Sequence, residues 1–200
     1  GRHMVGYLTI NTKTLRRCQD APIRLKLFMG ELPAELNTPL EPWKAWLSRA
    51  WMQEETINIL QTDQAITIPR RMAGRYLKVE VIGTSMDFDC ALSQVSFDAV
   101  SSAGEDLCAA ATAHPLMDSI RSVSVETLRE CMQTVYEDGP KRDQRLWAGD
   151  LYLQAMANRY SFRNFELTKR CLYLFAALAD ENGVIISNIF EKPAPHPQIG

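Results

Sequence analysis

Three aspartates, two arginines and a tryptophan crowd one short stretch of this chain: Glu137-Asp138-Gly139-Pro140-Lys141-Arg142-Asp143-Gln144-Arg145-Leu146-Trp147-Ala148-Gly149-Asp150. Such a set suits the cleavage of a glycosidic bond. That reaction needs two acidic groups flanking the bond, one to protonate the leaving oxygen and one to activate water. Neutral sugar hydroxyls also want carboxylate acceptors, and the C–H face of a sugar packs on an indole. A plainer reading is a solvated turn whose acids pair with Lys141, Arg142 and Arg145. Residue chemistry alone leaves both open.

The spacing adds a geometric expectation. Asp138-Gly139-Pro140 is turn chemistry, because glycine and proline together interrupt a helix. Were the chain helical from Asp143 onward, Trp147 would sit one turn above it and Asp150 two turns above, on one side. Asp138, just before the turn, would reach the same place.

These residues need a scaffold. The first half reads as short strands of period two: Val5–Ile10, Ile23–Leu27, Thr56–Leu60, Ala65–Ile68, Tyr76–Ile82 and Val95–Val100. Without helical crossovers between them, they imply an antiparallel sandwich. Trp43, Trp46, Leu47, Ala50 and Trp51 interrupt this pattern at helical spacing after Pro42. They read as a short helix or loop packed on the sandwich, with a sugar-stacking platform as the alternative.

After Ser101-Ser102-Ala103-Gly104 the period changes. Leu116, Ile120, Val123, Leu128, Met132 and Val135 fall mostly on one helical face. Further helices are expected over Asp150–Tyr160 and from a cap at Asn164 to a stop at Asn182-Gly183, before an irregular tail with Pro193, Pro195 and Pro197. Gly1–Met4 reads as a cloning remnant. The expected domains are then 5–112, a β-sandwich, and 113–200, the start of a helical domain.

Composition excludes several function classes. The chain has 200 residues, 46% hydrophobic and 23% charged, which supports packed cores. A net charge of -2 gives no electrostatic reason to expect nucleic acid or an anionic membrane as partner. The odd set Cys18, Cys90, Cys108, Cys131 and Cys171 lacks CxxC spacing and reads as small buried hydrophobes in a reducing compartment. His3, His114 and His196 are scattered, so neither a metal nor another cofactor is expected. No apolar run approaches the roughly 18 residues of a membrane span, and no signal peptide is visible. A cytoplasmic location is the expectation.

The pattern Asp138-x-Pro140-x-Arg142-Asp143-x(3)-Trp147-x-Gly149-Asp150 fixes seven positions over thirteen residues. It resembles the catalytic signature of the α-L-rhamnosidases, glycoside hydrolase family 78. Gly30-Glu31-Leu32-Pro33-Ala34-Glu35, Trp51-x-Gln53-Glu54-Glu55 and Arg75-Tyr76-Leu77-Lys78-Val79 resemble the β-domain that precedes the catalytic domain in that family.

The resemblance implies an α+β multidomain fold, with a jelly-roll-like antiparallel β-sandwich followed by the first helices of an (α/α)6 barrel. It implies a rhamnose-containing glycoside as partner and hydrolysis of terminal α-L-rhamnose with inversion. Asp143 matches the general acid, although many members carry glutamate there. Asp138 and Asp150 match acids that hold the sugar, and Arg142 and Trp147 match residues lining the pocket. The family's general base is a glutamate much further downstream, expected beyond Gly200. A closed ring of helices cannot be built from the few after His114. The chain is therefore expected to be a fragment, inactive alone, and to self-associate through apolar helix faces around Tyr173, Leu174 and Phe175. Two alternatives stand beside this: a non-catalytic carbohydrate-binding or interaction module of the same fold, and a different (α/α)6 enzyme such as a glucoamylase-like hydrolase or disaccharide phosphorylase. The run Asp138–Asp143 speaks against the last.

Overall fold

The computed structural model describes residues 2–107, 114–192 and 194–197. It contains two compact units, Gly1–Ala99 and Val100–Gly200. The domain boundary expected at 112/113 lies outside the described residues, as do Cys108 and Pro193.

The first unit is built from β1 (Met4–Arg16), β2 (Ile23–Gly30), α1 (Pro33–Asn37), a 3-10 turn (Arg49–Trp51), β3 (Glu54–Ile59), β4 (Ala65–Thr67), β5 (Met72–Gly74), β6 (Tyr76–Gly83) and β7 (Asp89–Ala99). The long strand β1 pairs antiparallel with β7 and also with the short strands β4 and β5. In the second sheet β2 lies between β3 and β6, again antiparallel. Alternation dictates the packing: Leu8 and Ile10 of β1 and Leu25 and Leu27 of β2 point into one cluster with Ile59 and Met72. Two antiparallel sheets sharing a core make the expected sandwich. At Gly6 the strands β1 and β7 approach so closely that a Cβ would overlap the Asp98 carbonyl oxygen, so only glycine fits.

The tryptophan stretch departs from its helical spacing, with only Arg49–Trp51 forming a 3-10 turn. The local hydrogen bonds explain why. Trp43 Nε1 donates to the Leu47 carbonyl at 2.8 Å, and the Arg70 guanidinium takes the carbonyls of Ala50 at 2.8 Å and Met52 at 3.2 Å. Trp46 is left 89% exposed.

The second unit contains α2 (Pro115–Cys131), β8 (Arg145–Trp147), α3 (Ala148–Arg159), α4 (Phe165–Ala177), β9 (Asn188–Phe190) and β10 (His196–Pro197). Its core joins Leu128 of α2 to Tyr136, Leu146, Leu151, Cys171 and Ile189. The helix expected from Leu116 onward forms, but its apolar stripe is not uniformly buried. Leu128, Met132 and Val135 are buried, whereas Leu116, Ile120 and Val123 are exposed.

Asn158, wholly buried, sets the connection between α3 and α4. Its Nδ2 donates to the Asn164 carbonyl at 3.0 Å, and its Oδ1 accepts from the Asn164 N–H at 3.1 Å. Asn164 caps α4 as expected, its Oδ1 accepting from Leu167 N–H at 3.2 Å. The helix ends at Ala177, short of Asn182-Gly183, because Asp180 Oδ1 captures the N–H groups of Asn182 and Val184 in a local turn. Against the expectation of an irregular tail, β10 pairs with β9, which in turn pairs with β8. Strands this short carry no readable alternation. Of the three residues expected on an exposed face, Tyr173 is 73% exposed, Leu174 is half-buried and Phe175 is 4% exposed. Phe175 continues the i, i+4, i+8 series Leu167–Cys171–Phe175 into the core. The exposed face runs through Leu172 and Tyr173 instead. No described helix is long and apolar enough to cross a membrane.

Candidate active site

The segment 137–144 is a loop stretched between two buried anchors. On its near side Tyr136 is fully buried, its N–H donating to Cys171 Sγ at 3.4 Å and its hydroxyl lying 3.1 Å from Thr168 Oγ1. On its far side Leu146 of β8 is buried and pairs with Ile189 of β9. Between them the chain closes on itself. Asp138 N–H donates to the Arg145 carbonyl at 3.0 Å, and Arg145 N–H donates back to Asp138 Oδ1 at 3.1 Å. Inside this ring Gln144 N–H donates to the Gly139 carbonyl at 3.1 Å, and Gln144 Nε2 to the Pro140 carbonyl at 2.8 Å.

The turn places Asp143 in an unusual conformation. Asp143 and Gln144 have φ of 68° and 52°, two consecutive left-handed residues. Each costs about 1–2 kcal/mol for a non-glycine residue, and a short polar side chain such as aspartate tolerates it best. This overturns the helical alignment of Asp143, Trp147 and Asp150. Asp143 lies on the turn, Trp147 ends β8, and Asp150 sits in the first turn of α3. The left-handed pair reverses the chain so that Arg145–Trp147 can pair with β9, which a helix would forbid.

The charges of Asp143 and Asp150 nevertheless reach Asp138. Burial pushes the Asp138 carboxyl above its ordinary value of 3.8, hydrogen bonds from the Arg145 and Gly139 backbone pull it down, and the charges of Asp143 and Asp150 push it up again. Burial likewise pushes the Cys131 thiol to about 12, with added repulsion from Glu137, Glu130, Asp138 and Asp150. The three aspartates thus share one electrostatic neighbourhood. Asp150 stands at a helix N-terminus, where the helix dipole favours negative charge. A carboxyl with a raised proton affinity, as at Asp138, can donate a hydrogen bond to a sugar oxygen as well as accept one.

Arg142 is exposed, its Nε 3.9 Å from Asp143 Oδ1, too long and too wet for a strong pair. Trp147 is half-buried. The Arg145 guanidinium lies 4.1 Å from the Phe190 ring centroid, and Phe190 stacks on His196 at 5.0 Å. This gives Arg145 an aromatic seat that the simple turn reading did not anticipate. Two further groups had no motif to reveal them. Glu137 is 3% exposed, and Gln154 of α3 donates through Nε2 to the Glu137 carbonyl at 2.8 Å. Only the i+4 spacing of Gln154 from Asp150 hinted that it faces the loop. Among the described residues, no group of three or more His, Cys, Asp or Glu side chains is placed to hold a metal ion.

Known proteins resemble both units. The model of the glycosyl hydrolase family 78 alpha-rhamnosidase N-terminal domain matches residues 1–99. That of the bacterial alpha-L-rhamnosidase 6 hairpin glycosidase domain matches residues 106–197. Among solved structures, a rhamnosidase from Klebsiella oxytoca with rhamnose bound is similar at a TM-score of 0.94 and 41% identity, covering 99% of this chain and 39% of that one. A GH78 family rhamnosidase of Bacillus sp. GL1 is similar at a TM-score of 0.69 and 20% identity, covering 96% of this chain and 18% of that one. At that identity the likeness is one of fold. No curated protein matches the chain. This chain spans well under half the length of either solved relative. With both units matched in chain order, the chain belongs to the α-L-rhamnosidases of glycoside hydrolase family 78.

Proposed function

We propose that these residues work within a longer inverting α-L-rhamnosidase, as its β-sandwich and the first helices of its (α/α)6 catalytic barrel. The observation that carries the proposal is the closed loop from Asp138 to Arg145, which gathers Asp138 and Asp143 into one electrostatic neighbourhood with Asp150. The Klebsiella relative is a rhamnosidase with rhamnose bound, and a terminal α-L-rhamnoside is the substrate we assign to this site.

In this reading Asp143 passes its proton to the glycosidic oxygen as the bond to the anomeric carbon breaks. A carboxylate base takes a proton from water, which attacks the opposite face of the sugar. Asp138 and Asp150 hold hydroxyls, Trp147 offers its indole to the ring, and Arg142 lines the pocket. The base comes from a part of the longer enzyme outside these 200 residues. The test is hydrolysis of a chromogenic α-L-rhamnoside by the longer protein containing this sequence, with inversion read by NMR of the first-formed anomer. Retention of configuration, or full activity of Asp143→Asn on a rhamnoside whose leaving group must be protonated, would refute it.

The second reading, a sugar-binding module without turnover, is favoured for the 200 residues alone by one observation. Glu191 is engaged by Arg170 at 2.5 Å and by the Thr134 hydroxyl, so it is not poised to activate water.

A further inference from the structure

We infer that Gln154 is a positioning residue of the sugar site: its side-chain amide sets where the Asp138 carboxyl stands relative to Asp150. The role rests on the sugar site proposed above, and the geometry behind it is independent of that site.

Gln154 lies one helical turn beyond Asp150 on α3, so both face the same side of one rigid element. Its Nε2 donates to the Glu137 carbonyl at 2.8 Å. That carbonyl and the Asp138 N–H belong to one planar peptide and point in opposite directions. The N–H end of the plane is held by the Arg145 carbonyl at 3.0 Å. The peptide is therefore gripped at both edges, from α3 on one side and from β8 on the other. Just upstream, Glu137 N–H donates to the Cys131 carbonyl at 2.9 Å, fixing the preceding peptide as well. With these planes set, the Asp138 N–Cα bond is placed, and the Arg145 N–H, donating to Asp138 Oδ1 at 3.1 Å, then fixes where the carboxyl stands. The helix that carries Asp150 thus carries the group that orients Asp138.

A second observation separates this role from packing. Gln154 Oε1 is buried and has no hydrogen-bond partner. Leaving an amide oxygen unsatisfied costs stability, and an apolar side chain of the same length would remove that cost. Packing alone would not select glutamine here, whereas the need for a donor to the Glu137 carbonyl does.

Amide hydrogen exchange and L-rhamnose titration, both followed by NMR on the 200-residue chain, test the inference. In Gln154→Met, which keeps length and helix propensity but removes the donor, exchange at the Asp138 amide should rise about three- to tenfold. Exchange at Tyr136, held in the core by Cys171, should not change. The dissociation constant for L-rhamnose should rise by a similar factor. In Gln154→Glu the side chain can donate only when protonated, so protection at Asp138 should be lost at neutral pH and return on acidification. A purely space-filling role would show no such return. Unchanged exchange at Asp138 in Gln154→Met, or an equal rise at Tyr136, would overturn the inference. Should the unaltered chain show no rhamnose-induced shifts at Asp138 or Asp150, the sugar site fails. The exchange data still decide whether Gln154 holds the peptide.

Discussion

Asp138 and Arg145 are joined twice, amide to carbonyl at 3.0 Å and amide to carboxylate at 3.1 Å. One of these bonds uses only backbone and would survive any substitution except proline. The other uses an acceptor oxygen that aspartate and asparagine both possess. The pair therefore ties the candidate sugar-holding carboxyl to β8, whose partner β9 is anchored in the core through Ile189. The chain between them is closed into a ring this way, and Asp143 rides on it.

The ring has little slack at Gly139. A Cβ there would stand 2.9 Å from the Arg142 carbonyl oxygen, a backbone atom that cannot swing aside. Gly139→Ala should displace Arg142 and Asp143 and destabilise the second unit by about 1–3 kcal/mol, the usual range for overpacking. Denaturant unfolding of the chain measures it. A variant as stable as the parent, with unmoved Asp143 resonances, would show that the ring is softer than its hydrogen bonds suggest.

Asp138 makes a prediction about pH. Folding raises its pKa above 3.8, chiefly through burial, so the folded state favours the protonated carboxyl. At pH above the folded pKa the ionised group costs stability. As pH falls through that pKa the cost is relieved, and below 3.8 it has gone. Asp138→Asn, which keeps the acceptor for Arg145 and removes the charge, should stabilise the second unit at neutral pH. The advantage should fade on acidification. Thermal midpoints of both proteins across this range check it, and an advantage that grows toward acid would contradict it.

Much of the scaffold was legible because its signals are local and repeated. Leu25 and Leu27 alternate inward on β2, and Asn164 stands immediately before the apolar series of α4 that it caps. Type, spacing and the family resemblance singled out Asp138, Arg142, Asp143, Trp147 and Asp150 as candidates, but their arrangement was not legible. Helical spacing linked Asp143 to Trp147 and Asp150, yet two left-handed residues at 143 and 144 turn the chain into β8. Nothing in an Asp-Gln pair announces that choice. It follows from pairing with Asn188–Phe190, far along the chain. The same holds for Gln154, whose partner is a backbone carbonyl and leaves no trace in side-chain chemistry.

Asp143→Asn separates acid from sugar holder. Asparagine tolerates the left-handed backbone at φ 68°, so the ring should keep its shape. In the longer enzyme, turnover of a poor leaving group should fall about 10²–10⁴-fold, as for loss of a general acid. The loss should shrink for substrates whose leaving group needs no proton. Asp138→Asn should lower turnover equally on both substrate types. If the leaving-group dependence followed Asp138 instead, the two aspartates would exchange roles.

The helices of the second unit carry apolar faces without a cover among the described residues. Leu116, Ile120 and Val123 recur at i, i+4 and i+7 on α2, and Tyr152, Leu153 and Tyr173 are exposed on α3 and α4. Apolar patches beyond roughly 300–600 Å² are rare on soluble monomers. The 200-residue chain should therefore self-associate through this unit. Val123→Glu should weaken that association by about tenfold or more, as expected for a charge placed in an apolar contact. Sedimentation velocity over a range of concentrations tests this, and a chain that stays monomeric throughout would refute it.

Assayed alone, the 200-residue chain should bind L-rhamnose weakly and hydrolyse no α-L-rhamnoside. Inversion requires a second carboxylate about 6.5–9.5 Å from the acid, with a water between them on the far face of the sugar. Asp138 is tied into the same ring as Asp143, and Asp150 begins the helix that follows β8. All three therefore approach the sugar from one strip of chain. Among the later glutamates, Glu166 pairs with Lys169 at 2.6 Å and Glu191 with Arg170 at 2.5 Å. Glu181 lies exposed in the turn closed by Asp180. An exposed Asp150 also leaves the site open to water, which weakens each electrostatic contact there. Incubation of the purified chain with a chromogenic α-L-rhamnoside decides the matter. Turnover that Asp143→Asn abolishes would overturn the prediction. It would place the base within these residues, or on a second copy of the chain if the rate rose with the square of protein concentration.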